Sequence, residues 1–265
     1  MENLKGVANT LYLPMVARIY VSRHFPEYFC DQKALSLANS LPAGVEQGSD
    51  EYTHMAHVDR CWQMDHTVQS FILSHPGCNI IYLGVGLDTG FDRVPHGAEH
   101  FYGIDLPEAI ALRKQVLGER EGETLIAGDM FAMGWVSSID KTLPTLIVVS
   151  GVFQYFHIEQ VQRFIGQLKQ SFPQGELVFD ATNSTGLKFT NKFVQRSGNT
   201  ASLMYFYVDD ANLFAKQTGT HILSEKMFHT QARHILRGKL KFRTRLFMFG
   251  CDLLKRAKII HLQLR

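Results

Sequence analysis

The sequence predicts an α/β fold, a mostly parallel sheet flanked by helices behind an N-terminal helical cap, and three observations lead to it. The first seventy-five residues show no strand pattern. From Cys78 onward short apolar runs alternate with helical periods, as in a sheet covered on both faces. After the first of those runs, Asn79-Ile80-Ile81-Tyr82-Leu83, comes Gly84-Val85-Gly86, a glycine turn at the carboxyl end of a buried strand.

In the front segment, residues 1–77, Leu11, Met15 and Ile19, then Leu35, Leu37 and Leu41, fall at spacings that suit partly buried helices. Pro14, Pro26 and Pro42 are expected to divide it into short pieces, as befits a cap or lid rather than an independent domain. The sheet domain then fills 78–265, with strands expected near 79–83, 100–104, 124–127, 144–149, 176–180, 221–225 and 258–264. Helices are expected near 107–117, 158–171 and 209–218. The run from Leu143 to Val149 is the most apolar and should lie centrally, beside the glycine-bearing strand. The segment 182–207, with Phe189, Phe193, Met204, Tyr205, Phe206 and Tyr207, reads as an insertion over the sheet.

Apolar residues at 45% and charged residues at 20% are ordinary for a soluble globular chain of 265 residues. No apolar run approaches the roughly 20 residues that span a bilayer, and Met1 to Gly6 lack the layout of a secretory signal, so the cytoplasm is the expected compartment. Cys30, Cys61, Cys78 and Cys251 are scattered without metal-ligand spacing and read as reduced thiols, at least some of them buried. A net charge of +2 argues neither for nor against nucleic acid, and neither nucleic acid nor a membrane is the expected partner, which is a small-molecule acceptor. Locally, Arg233, Arg237, Lys239, Lys241, Arg243 and Arg245 crowd one segment, a solvated basic face or a site for an anionic partner.

The chemistry is expected at the carboxyl ends of the strands. Gly84 and Gly86 let a ligand approach the main chain, and Asp88 and Thr89 suit the mouth of a following helix. Asp105 ends the second strand, 19 residues beyond Gly86, where a carboxylate can accept hydrogen bonds from both hydroxyls of a ribose. Pro107 just after it suits the first position of a helix. Asp129 follows the third strand, where it can receive the amine of adenine while Met130 or Phe131 packs on the ring. Ser150-Gly151 follows the central strand, beside the reacting end of such a ligand.

These motifs resemble the leucine carboxyl methyltransferase and polyketide O-methyltransferase family of class I S-adenosylmethionine enzymes. Gly6-Val7-Ala8-Asn9-Thr10 with Ala17-Arg18 is similar to the family's opening, and Arg60 with Asp65 to its Arg-x₄-Asp helix. Leu83-Gly84-Val85-Gly86-Leu87-Asp88-Thr89 through Arg93 matches the Leu-Gly-x-Gly-x-Asp-Thr-x-x-x-Arg signature, and Asp105-Leu106-Pro107 the Asp-x-Pro element. Gly151-Val152-Phe153-Gln154-Tyr155-Phe156 stands where the family has Glu-Gly-Val-x-x-Tyr-Leu. The resemblance implies a Rossmann-like fold with a seven-stranded sheet and S-adenosylmethionine as cofactor. It implies that Arg60 binds the methionyl carboxylate and the Gly84 to Gly86 backbone approaches the methionyl chain. Asp88 belongs to the same turn, Asp105 with Leu106 would hold the ribose, Asp129 with Met130 would surround adenine, and Ser150 would face the methionyl end. Arg93 is expected to steady the turn through an ion pair. Two departures stand out: Ser150 replaces the family's glutamate, expected near the methionyl ammonium, and Gly90 replaces a second arginine.

Methyl transfer to the carboxylate or hydroxyl of a small molecule is therefore expected, with no metal. A carboxylate acceptor needs no base, whereas a phenol or alcohol would, and Tyr155, His157, His54 and His57 are candidates by location. For each histidine a surface or core role is the simpler reading. Tyr155 has the strongest claim to line the acceptor pocket. A nicotinamide-dependent oxidoreductase is the rival enzyme class, but its third glycine would stand at Thr89. A non-catalytic binding protein is the other alternative, kept open by Ser150.

Overall fold

The computed structural model describes residues 2–42, 44–45, 49–95, 97–196 and 203–265. The side chains of Gly6 to Thr10 and of Phe193 lie outside this description. Seven strands, β1 (Asn79–Leu83), β2 (His100–Asp105), β3 (Glu123–Ala127), β4 (Thr145–Val149), β5 (Glu176–Thr182), β6 (His221–Met227) and β7 (Ala257–Gln263), form one sheet in the order 3-2-1-4-5-7-6. The first five run parallel, and β7 is antiparallel to both β5 and β6. β1 and β4 are adjacent and buried along their whole length, which their unbroken apolar runs require.

The helices are α1 (Glu2–His24), α2 (Gln32–Ser36), α3 (Glu51–Ser74), α4 (Gly90–Arg93), α5 (Pro107–Leu117), α6 (Ile158–Ser171), α7 (Ser184–Arg196), α8 (Ala211–Thr218), α9 (Thr230–Ile235) and α10 (Phe242–Leu253). α5 opens on Pro107, whose missing N–H costs nothing at the first helical position. α6 buries Val161, Phe164, Ile165 and Leu168, one face at helical spacing, against the sheet core.

Three expectations change. Pro14 does not divide the front segment but lies inside α1, a helix of 23 residues. It costs one backbone hydrogen bond, while the same helix buries Met15, Val16, Ala17, Ile19 and Val21. α3 is more than cap, since Met64, Val68, Phe71 and Ile72 pack with Ile80, Tyr82, Leu146 and Val148 of the sheet. The segment near 182–207 begins as the last residue of β5, continues as α7, and returns at Phe206 into the core among Phe153, Phe179 and Phe214.

Strand register builds the platform for the site. Ile104 pairs with Leu83, Leu83 with Val149, and Val149 with Phe179. One residue further along, Asp105, Gly84, Ser150 and Asp180 therefore stand side by side at the carboxyl edge. The chain order reverses between β1 and β4, the place where such sheets open a cleft for ligands.

Candidate cofactor site

The glycine turn is held from below and from both sides. Gly84 and Gly86 adopt φ of +68° and +45°, which a side chain would strain. A Cβ at Gly84 would collide with Val152 Cγ2, and one at Gly86 would meet Leu11 Cδ2 of α1 at 3.0 Å. The N–H of Gly84 donates to Ile104 O at 2.8 Å, and that of Gly86 to Asp105 Oδ2 at 2.8 Å. The carbonyls of the turn are taken by two buried arginines. Arg18 Nη2 donates to Leu87 O at 2.7 Å, and Arg113 Nη1 to Gly86 O at 2.9 Å and Asp88 O at 2.6 Å. Arg113 is in turn paired with Glu123 at 2.6 Å. Charged donors of this kind make strong bonds and fix the loop's shape.

Beneath the turn lies a buried ion cluster. Arg93 donates Nε and Nη2 to Asp65 at 2.7 and 2.9 Å, and Nη1 to Thr89 Oγ1 at 2.7 Å and Asp31 Oδ2 at 3.3 Å. Arg18 Nε reaches the same Asp31 oxygen at 2.9 Å, and Thr89 donates its hydroxyl there too. Asp88 Oδ1 accepts from Gly90 N at 2.5 Å and Arg93 Nη2 at 3.2 Å. Burial works to raise the Asp88 carboxyl, but Arg93 and Arg18 outweigh it and hold it well below the usual range.

The turn does not open a long helix. α4 has four residues, Thr89 turns its hydroxyl to Asp31 instead of capping, and Asp88 Oδ1 is engaged within the turn. The phosphate-seeking helix mouth of a dinucleotide site is thus missing, and a cofactor without a pyrophosphate has no use for one.

The other residues expected at the site sit along the same edge. Asp105 is half-buried; burial raises its carboxyl, opposed by the backbone N–H groups of Gly86 and of Leu106 at 2.8 Å. Leu106 is an exposed apolar lip beside it. Asp129 is exposed and accepts from Phe131 N at 2.9 Å, while Met130 is buried in the sheet core. Ser150 is half-buried. Tyr155 ends the short turn after β4 and is exposed, and exposed His157 lies 4.5 Å from Tyr205, ring to ring. His54 is buried and stacks on Tyr20 at 4.4 Å. His57 is pushed down to about 3 by burial and by the Arg60 charge.

Two groups complete the far side. Arg60 projects from α3 over Gly151, where a Cβ would lie 2.7 Å from Nη1, and Gly151 has φ of +72°. Arg60 Nη1 is 3.4 Å from Asp180 Oδ2, and Asp180 Oδ1 accepts from Gly151 N at 2.6 Å. Arg60 Nε is buried without a hydrogen-bond partner among the described residues. The Nε atoms of Arg113 and Arg256 are buried in the same way, and what sets Arg60 apart is its place over Gly151 at the carboxyl edge. Asp180 and Arg113 were not singled out from sequence; the position of Asp180 at the end of the fifth strand is the signal that marks it. A shallow cavity of about 250 Å³ lined by Phe71, His75, Glu176 and His261 lies elsewhere, at the strand end where β5 begins.

The chain is similar to known methyltransferases. The family model described as leucine carboxyl methyltransferase matches residues 15–169. The tetracenomycin polyketide synthesis O-methyltransferase TcmP of Streptomyces glaucescens is 25% identical over 189 residues, 70% of each chain. Among solved structures, a Thermobifida fusca protein superimposes with a TM-score of 0.57 at 13% identity, covering 93% of both chains. The magnesium protoporphyrin IX methyltransferase of Synechocystis, solved with S-adenosylhomocysteine, gives 0.51 at 14% identity, covering 82% of this chain and 89% of that one. The chain therefore belongs to the leucine carboxyl methyltransferase family and is an S-adenosylmethionine-dependent methyltransferase.

Proposed function

We propose that the enzyme transfers the methyl group to an oxygen of a small-molecule acceptor, a carboxylate or hydroxyl. The observation that carries the reading is the row Asp105, Gly84, Ser150 and Asp180, with Arg60 above Gly151. Arg60 would hold the methionyl carboxylate through its unpaired Nε, Asp180 would face the ammonium, and Asp105 with Leu106 would receive the ribose. Asp129, just after β3, would meet the adenine end. Bound there, S-adenosylmethionine supplies a methyl on a sulfonium, with a neutral thioether as leaving group. The chain's own task is then to orient the acceptor oxygen and to exclude water.

A carboxylate acceptor would need no base, whereas a phenol or alcohol would. Burial and the Arg60 charge push His57 down to about 3, which makes it the poorer candidate for that base. His157 with Tyr155 is the pair that would serve a hydroxyl acceptor. The part of the front segment before α3 would act as the cap, with Leu11 of α1 lying over Gly86. Four free thiols, three of them buried, suit the reducing cytoplasm. Calorimetry with S-adenosylmethionine, S-adenosylhomocysteine and NAD, followed by product analysis on carboxylate and phenol panels, tests the reading. Binding of NAD alone, or methylation confined to nitrogen or carbon acceptors, would overturn it.

A further inference from the structure

We infer that α10 is a docking face for an anionic lipid surface. Its inner side is conventional: Thr244, Met248, Cys251 and Asp252 are buried. Its outer side is not polar, as solvent would require, but carries Phe242, Leu246, Phe249 and Leu253, spaced by three or four residues and so aligned in one stripe. Phe242 is 76% exposed, Leu246 58% and Leu253 66%. A soluble surface scatters such side chains singly; a contiguous stripe marks a contact surface.

Charge identifies the partner. Residues 229–256 hold eight Lys and Arg against one acid, Asp252, so the remainder of a chain of net charge +2 is acidic. Asp252 is buried and already bound by Arg233 and by the His229 N–H. Arg243 and Arg245 flank the apolar stripe on either side, with Lys241 before it and Lys255 after it. Arg237, Lys241, Arg243 and Arg245 form no ion pair among the described residues, while Lys239 is paired with Glu27 at 2.5 Å. A helix lying in a bilayer interface combines an apolar strip with flanking cations that meet anionic headgroups. A second copy would set this positive face against itself, and a nucleic acid backbone offers nothing to the apolar stripe.

The face lies on the cofactor side of the sheet. Asn183, just beyond Asp180, donates its N–H to Arg256 O at 3.1 Å and its side-chain amide to Leu254 O at 2.9 Å, tying the end of α10 to that edge. Arg256 in turn sits over the exposed ring of Phe189 on α7, 5.6 Å from its centroid, which extends the apolar surface. No described helix is long and apolar enough to cross a membrane, so the contact is peripheral.

Flotation of the full chain with vesicles of phosphatidylcholine alone, and of phosphatidylcholine with phosphatidylglycerol, tests this. The protein should float with the anionic vesicles only, and less so as salt rises. Arg243→Gln and Arg245→Gln should each weaken partitioning about fivefold, and Phe242→Ser with Leu246→Ser by about tenfold or more. All four side chains are exposed, so circular dichroism should match the wild type. Absence from anionic vesicles, equal flotation of the apolar double variant, or retention on polyglutamate without flotation would each overturn the inference.

Discussion

Arg60 Nη1 lies 3.4 Å from Asp180 Oδ2, while the other Asp180 oxygen takes the N–H of Gly151 at 2.6 Å. Asp180 thus stands one strand away from Ser150, the position at which the family carries glutamate, and brings a carboxylate to the same edge. Burial works against the charged Arg60, but Asp180 leads the groups that raise its pKa, so the guanidinium stays charged. Asp180→Asn should weaken S-adenosylmethionine binding by about 1.5–3 kcal/mol, the range for a hydrogen bond to a charged group. Ser150→Glu should recover part of that loss in the Asp180→Asn background and weaken binding in the wild type, where two adjacent carboxylates would repel. Equal gains in both backgrounds, measured by calorimetry, would show that Asp180 is not the substituting acid.

Asp105 is half-buried and accepts the Gly86 N–H at Oδ2 and the Leu106 N–H at Oδ1. Asp105→Ala should lower cofactor affinity by about 1.5–3 kcal/mol, roughly 10- to 150-fold. An unchanged dissociation constant would remove Asp105 from the site.

Arg93 is the cation on which Asp65, Asp88 and Asp31 converge. Arg93→Met leaves those buried carboxylates underpaired and should cost about 3–5 kcal/mol of stability. The midpoint of thermal unfolding should fall on the order of 10 °C; a fall of only a degree or two would mean that the cluster relaxes or takes in water.

His229 Nδ1 lies 2.6 Å from Asp59 Oδ2, and Tyr28 donates to the other Asp59 oxygen at 2.8 Å. Burial opposes the charged imidazole, but the bond to Asp59 outweighs it and lifts His229 to about 10. A pKa raised in the folded state stabilises fully below the free value of about 6.5 and ceases to do so as pH rises through the folded one. The wild type should therefore lose thermal stability between about pH 6.5 and 10 more steeply than His229→Asn. Parallel curves for the two proteins would exclude this pair as the source.

Much of the sheet was legible because strand signals are local. β1 and the helices at 107–117 and 158–171 coincide with their expected bounds, and the other strands differ by one or two residues at their ends. α10 escaped notice for a physical reason: it has apolar residues on both its buried and its exposed side, so no one-sided helical period shows. α7 was masked likewise by the mixed polarity of its segment. Pro14 misled because the burial on its helix outweighs one lost hydrogen bond.

By itself the sequence determined where the strands fall along the chain, the glycine turn, and the acids that follow β2 and β3, since each is written in a few consecutive residues. Only the tertiary structure decided which distant charges meet. Arg60 and Asp180 are 120 residues apart, Asp59 and His229 are 170, and Arg18 reaches a turn 69 residues away. Such partners are chosen by strand register and helix packing, because a buried charge must find whichever opposite charge the fold brings within reach. That Asp180 stands beside Ser150 could therefore be seen only once β4 and β5 were side by side.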